Sequence, residues 1–104
     1  MVQSLAVTEM IIFEVECDPA VYSRVNDILG LDPSTGSGGW PKELLNHVAA
    51  GADGKIIVVE VWGSRAAQLA WMSSTLGPAL HQAGEAKPTR QEWYTLLGNY
   101  SLSR

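Results

Sequence analysis

Apolar and polar side chains alternate along the first patterned stretch of the chain, Leu5 to Glu16. Ile11, Phe13 and Val15 fall on one side; Met10, Ile12, Glu14 and Glu16 fall on the other. A period of two predicts a β-strand. The period then changes. Asp18-Pro19 pairs an N-cap acid with a proline suited to a first helical turn. Val21, Val25, Ile28 and Leu29 follow at i, i+4, i+7 and i+8, the stripe of an amphipathic helix. Gly30 supplies its stop, so the helix spans about Pro19 to Leu29. Leu31 to Pro41 has no periodicity. Its Gly, Ser and Pro content predicts a flexible loop or lid.

Two strands come next, Lys42 to Ala50 and Lys55 to Trp62, joined at Asp53-Gly54. That dipeptide suits a two-residue hairpin turn. The turn places His47 opposite Glu60 and Leu45 opposite Trp62. One face then holds Leu44, Asn46, Val48, Ala50, Ile57, Val59 and Val61, and being nearly all apolar it is expected to carry the helices. The other holds Leu45, His47, Ala49, Ile56, Val58, Glu60 and Trp62, a mixture expected of a pocket or a subunit interface.

Gly63 ends the strand and Ser64 caps a second helix, Arg65 to Leu76, with Ala66, Leu69, Met72 and Leu76 as its apolar side. Gly77-Pro78 closes that helix, and Pro78 to Gly84 can add a short helical segment. Arg90 to Leu97 is the last strand, with Trp93 and Tyr94 on opposite faces. Residues 1–4 read as a loose end, Ala86 to Thr89 as a polar connection, and Gly98 to Arg104 as a polar tail able to reach a neighbour. The order β-α-β-β-α-β is the split βαβ pattern of ferredoxin-like α+β folds, with a four-stranded antiparallel sheet. One sheet face takes both helices and the other has no cover of its own.

Composition narrows the function classes. At 104 residues the chain forms one domain, 1–104, small enough to benefit from burial against a second copy. Charged residues make up only 17%, which leaves apolar surface for such a partner. A net charge of −4 with scattered Lys and Arg disfavours nucleic acid as a partner. No apolar run reaches the roughly 18 residues of a membrane span, and the N-terminus lacks a signal-peptide pattern. A single cysteine, Cys17, excludes an internal disulfide and reads as structural, so the expected compartment is the cytoplasm.

The sharpest candidate chemistry is His47 with Glu60. A carboxylate on one imidazole nitrogen fixes the tautomer and raises basicity, which leaves the other nitrogen to take a proton from a substrate. Glu14, on the first strand, is a candidate for the same face. Trp62 offers a surface on which a flat ligand can stack, and Trp40, inside the glycine-rich loop, either anchors that loop or closes over a ligand. Trp71 and Tyr94 complete the candidate pocket lining, although packing explains Trp71, Trp93, Tyr94 and Tyr22 at least as well. His81 reads as a solvated side chain. With only two histidines and one cysteine, no metal site built by the protein is expected. The glycines of 34–39 lack the lysine and spacing of a phosphate loop, and no nucleotide or serine-hydrolase fingerprint occurs.

Three places carry a resemblance to a known family: the second-strand histidine in LLNHVAAGADGK, the third-strand ending VVEVWGS, and the following helix with Trp71, LGPAL and Gly84. The chain resembles the dimeric α+β barrel superfamily, of the antibiotic-biosynthesis-monooxygenase-like kind. Gly63 stands where that pattern usually has an acid, and Trp71 where it usually has phenylalanine. The resemblance implies a homodimer that packs its open sheet faces together, with a pocket between each sheet and its own helices or loops. It implies a small cofactor-independent enzyme acting on a hydrophobic, aromatic or polyketide-like metabolite, by monooxygenation or by cyclisation or isomerisation. His47 would be the general base. The alternative is a ligand-binding or interaction module without a reaction, in which His47 and Glu60 lock the dimer.

Overall fold

The computed structural model describes residues 8–84 and 88–99. The expected loose end at 1–4, the start of the first strand from Leu5, part of the connection at 86–89 and the last residues of the tail lie outside them. The elements are β1 (Glu9–Val15), α1 (Ala20–Leu29), β2 (Leu44–Ala52), β3 (Lys55–Trp62), α2 (Arg65–Trp71), a π-helical turn (Met72–Leu76), α3 (Gly77–Gly84) and β4 (Pro88–Thr95). The fold is α+β and ferredoxin-like, with one antiparallel sheet in the order β2-β3-β1-β4. No helix among the described residues is long and apolar enough to cross a membrane.

Local chemistry explains the element ends. Asp18 Oδ1 accepts the Ala20 N–H at 2.9 Å, and Pro19 sits at φ −53°, already helical. Gly30 closes α1 in the left-handed region at φ 69°, which a side chain would resist. Ser64 Oγ accepts the Ala67 N–H at 3.1 Å and starts α2.

The Gly77-Pro78 stop does not occur. The helical path continues to Gly84, because a π turn precedes the proline. Gly77 N–H donates to Met72 O, five residues back. This wider ring shifts the carbonyls that Pro78 would otherwise clash with. It also turns Leu76 to the same side as Trp71. The buried side of α2 is consequently Ala67, Gln68 and Trp71, while Ala66 and Leu69, both expected inside, are exposed. Gln68 is fully buried, and its side-chain amide has no hydrogen-bond partner among the described residues.

The hairpin register agrees with the sequence from Asn46 onward: His47 faces Glu60 and Ala49 faces Val58. An irregularity between Leu44 and Asn46 then puts Leu44, not Leu45, opposite Trp62. The assignment of sheet faces is reversed. The helices cover the mixed face, where Ile56, Val58, Glu60 and Trp62 are buried with Ile11, Phe13 and Val15 of β1. Val21 and Val25 of α1 and Ala79 and Leu80 of α3 close this core. Glu60 is tolerated there because both of its oxygens have donors, and a buried carboxylate so paired escapes the desolvation cost of an unpaired one. Val48, Ala50, Ile57 and Val59 lie on the opposite face, half-buried or exposed. No described element covers that face.

Candidate active site

The site grows from three elements. Adjacent strands β2 and β3 bring His47 and Glu60 side by side, with His47 Nδ1 2.7 Å from Glu60 Oε2. Trp62, two residues along β3 on the same face, donates its Nε1–H to Glu60 Oε1 at 2.9 Å. From α1, the Tyr22 hydroxyl reaches His47 Nε2 at 2.7 Å. The donors assign the protons. A carboxylate that accepts on both oxygens takes the hydrogen of Nδ1, so Nε2 carries the lone pair and accepts from Tyr22. The pair lies away from water: the side chain of Glu60 is 3% exposed and that of His47 17%. Burial pushes the Tyr22 hydroxyl's pKa up; the Asn26 amide partly offsets this and the negative charge of Glu60 adds to it. Tyr22 therefore stays a donor across the neutral range.

Around this chain lies a cavity between sheet and helices. Its walls are apolar except at the His47 end, where Tyr22, Asn26 and Glu60 contribute polar atoms. Trp71 lines it. Trp40 also lines it, with its ring centroid 5.2 Å from that of His47 and the planes tilted by 55°. The loop that carries Trp40 is folded on itself. Asp32 Oδ1 accepts from the Ser34 amide and hydroxyl, and Gly36 N–H donates to Asp32 O at 2.8 Å. Gly38, at φ 112°, lies so close to Gly30 O that a Cβ would come within 2.3 Å of it.

Three candidate residues do not face the cavity. Trp62 is fully buried, with its indole N–H committed to Glu60, so it positions the carboxylate and offers no stacking surface. Glu14 and Tyr94 project from the open sheet face, because alternation along β1 and β4 places them opposite Phe13 and Trp93. There Arg90 bonds both Glu14 and Glu92 at 2.7 Å, Tyr94 donates to Glu92 at 2.6 Å, and Lys55 approaches Glu14 at 3.4 Å. Among the described residues no three His, Cys, Asp or Glu side chains gather to hold a metal ion. Cys17 is half-buried and its thiol is pushed up, first by burial and then by Asp18.

Tyr22 and Asn26 hold polar roles here that no motif in the sequence announces. The signal was present but slight: the two are an i, i+4 pair flanking the Val21–Val25 stripe, so they share the inward edge of α1.

No protein-family model matches the chain, and no curated protein sequence matches it. Solved structures do. A protein of Chloroflexus aurantiacus, described with reservation as an antibiotic biosynthesis monooxygenase, superposes with a TM-score of 0.62 at 17% identity, over 92% of this chain and 99% of that one. MupZ from Pseudomonas fluorescens gives 0.59 at 12% identity, over 86% and 72%. NE2512 from Nitrosomonas europaea, of unknown function, gives 0.65 at 14% identity, over 97% and 100%. At these identities the likeness establishes a shared fold, the antibiotic-biosynthesis-monooxygenase-like form of the ferredoxin-like sheet.

Proposed function

We propose that the protein is a small cofactor-independent enzyme in which His47 removes an acidic proton from a hydrophobic, aromatic or polyketide-like metabolite. The observation that carries this reading is the ordered chain Trp62–Glu60–His47, which leaves Nε2 as the acceptor at the polar end of an apolar cavity. Glu60 fixes the tautomer and stabilises the imidazolium formed when the proton arrives. The Tyr22 hydroxyl marks where the substrate's proton is delivered. The resulting anion then reacts through its own electrons, with dioxygen in a monooxygenation or internally in a cyclisation or isomerisation. The Chloroflexus aurantiacus protein of the same fold, described with reservation as a monooxygenase, favours this direction. The protein acts as a homodimer, its open sheet faces packed together, which removes Val48, Ile57 and Val59 from water.

Anthrone, whose ring C–H is acidic, is the test substrate. The protein accelerates its aerobic consumption over buffer, and His47→Ala abolishes the acceleration. Equal rates with and without His47 overturn the reading. One observation favours the alternative, a binding or interaction module: every polar atom of the His47–Glu60 pair already has a partner within the chain. In that case His47→Ala lowers stability and removes no reaction.

A further inference from the structure

Two spaces meet at Trp40. The inner one is the apolar cavity, of about 50 Å³. The outer one is an open groove of about 260 Å³ between the loop and the start of β2, with Pro33, Leu44 and Asn46 among its walls. Trp40 and His47 line both. A cavity of about 150 Å³ is the size that takes up benzene. The inner space is about a third of that, so no aromatic ring fits beside His47 while the indole keeps its place.

The indole is held in a way that lets it leave. Its N–H donates to Ser37 O at 2.9 Å, inside its own loop. That carbonyl also accepts the Asp32 N–H at 2.9 Å, so the ring moves without breaking the bond only when Ser37 and Asp32 move with it as one loop. On the body of the protein the indole rests against the His47 ring. Two glycines, Gly38 and Gly39, precede it in the chain, and the side chain is half-buried rather than packed in the core.

We infer that Trp40 is a movable partition between two halves of one ligand site, and that this site takes an amphiphilic molecule of two parts. A planar apolar ring bearing a hydroxyl occupies the inner half, with that hydroxyl on His47 Nε2. A polar extension lies in the outer half beside Asn46. The reacting position of the ligand is then at the junction, where His47 faces both halves. This rests on the reading of His47 as a proton acceptor for a ligand; the partition itself rests on the shapes of the two spaces.

The experiment is stopped-flow binding of two fluorescent probes, 2-naphthol and 2,6-dihydroxynaphthalene, to the full chain and its variants. Trp40→Ala is expected to raise the association rate of both probes about tenfold, the gain when a site open a tenth of the time becomes permanently open. Trp40→Phe is expected to give a smaller rise. The dihydroxy probe dissociates more slowly than 2-naphthol, and Asn46→Ala removes that difference. An association rate unchanged in Trp40→Ala overturns the partition; if that variant does not fold, an unchanged rate in Trp40→Phe does the same. Dissociation rates equal for the two probes overturn the two-part site. His47→Ala separates this inference from the reading beneath it. Faster association in the Trp40 variants, with probe affinity indifferent to His47, keeps the partition and removes the proton-accepting role. Affinity that depends on His47, with association indifferent to Trp40, does the reverse.

Discussion

The Tyr22 hydroxyl lies 2.7 Å from His47 Nε2, on the one ring nitrogen that Glu60 leaves free. A helix side chain thus occupies the position that the proposed chemistry reserves for a substrate. Phe at this position keeps the ring and removes the donor. Leaving a part-buried acceptor unpaired costs about 1–3 kcal/mol, so Tyr22→Phe lowers the melting temperature. The same vacancy favours a ligand hydroxyl, so affinity for 2-naphthol rises. Thermal denaturation and fluorescence titration read the two effects. Unchanged stability together with unchanged affinity shows that the contact carries no weight.

The buried Gln68 amide predicts a gain from simplification. Its nitrogen and oxygen are both without partners among the described residues. Replacing an unsatisfied polar group by an apolar one of similar shape is neutral or stabilising. Gln68→Met is expected to stabilise the fold by about 1 kcal/mol, within the range for a buried polar group left unpaired. Chemical denaturation measures it, and a loss of stability overturns the prediction.

On the open face, Arg90 holds Glu92 from its ordinary 4.5 down to about 2, with Tyr94 assisting, and holds Glu14 down as well. The folded value lies below the unfolded one. The contribution is therefore present above about pH 4.5 and is lost as the pH falls through about 2. Arg90→Ala should return the Glu92 carboxyl towards its ordinary range, read by carbon-detected NMR titration. In the single chain the pairs are exposed, so the effect on the stability of the monomer is small. An unchanged titration contradicts the pairing.

The same face supports a prediction about assembly. Val48 is 55% exposed on a sheet surface that no described element covers. If two copies pack there, Val48→Asp buries a charge without a partner and weakens the dimer, because unpaired buried charge is strongly disfavoured. Sedimentation velocity of the wild type and of the variant decides this. A wild type that sediments as a monomer at micromolar concentration removes the dimer from the account.

Much of the fold was legible because its signals are local. The β-branched run bounded β3, Asp53-Gly54 fixed a register that set His47 beside Glu60, and Gly30 closed α1. What was missed depends on distant partners. The helix-covered face was misassigned because His47 and Glu60 look solvent-seeking until Trp62 and Tyr22 satisfy them. Tyr22 comes from a helix 25 residues away in sequence, a distance no periodicity reports. The phase of α2 is hidden because its most buried side chain is the polar Gln68, Leu69 faces outward, and a π turn follows. Glu14 and Tyr94 lie on the other face, and alternation within a strand does not report which of its two faces the helices cover.

The central claim is that His47 presents an unprotonated Nε2 as an acceptor, and nitrogen-15 NMR of the imidazole at neutral pH reads this without any substrate. A hydrogen on Nδ1 and none on Nε2 is expected in the wild type. In Glu60→Gln the amide can donate to Nδ1, and the hydrogen moves to Nε2. A wild-type imidazole that carries its hydrogen on Nε2 would contradict the claim, because the nitrogen facing the cavity would then be a donor and no base.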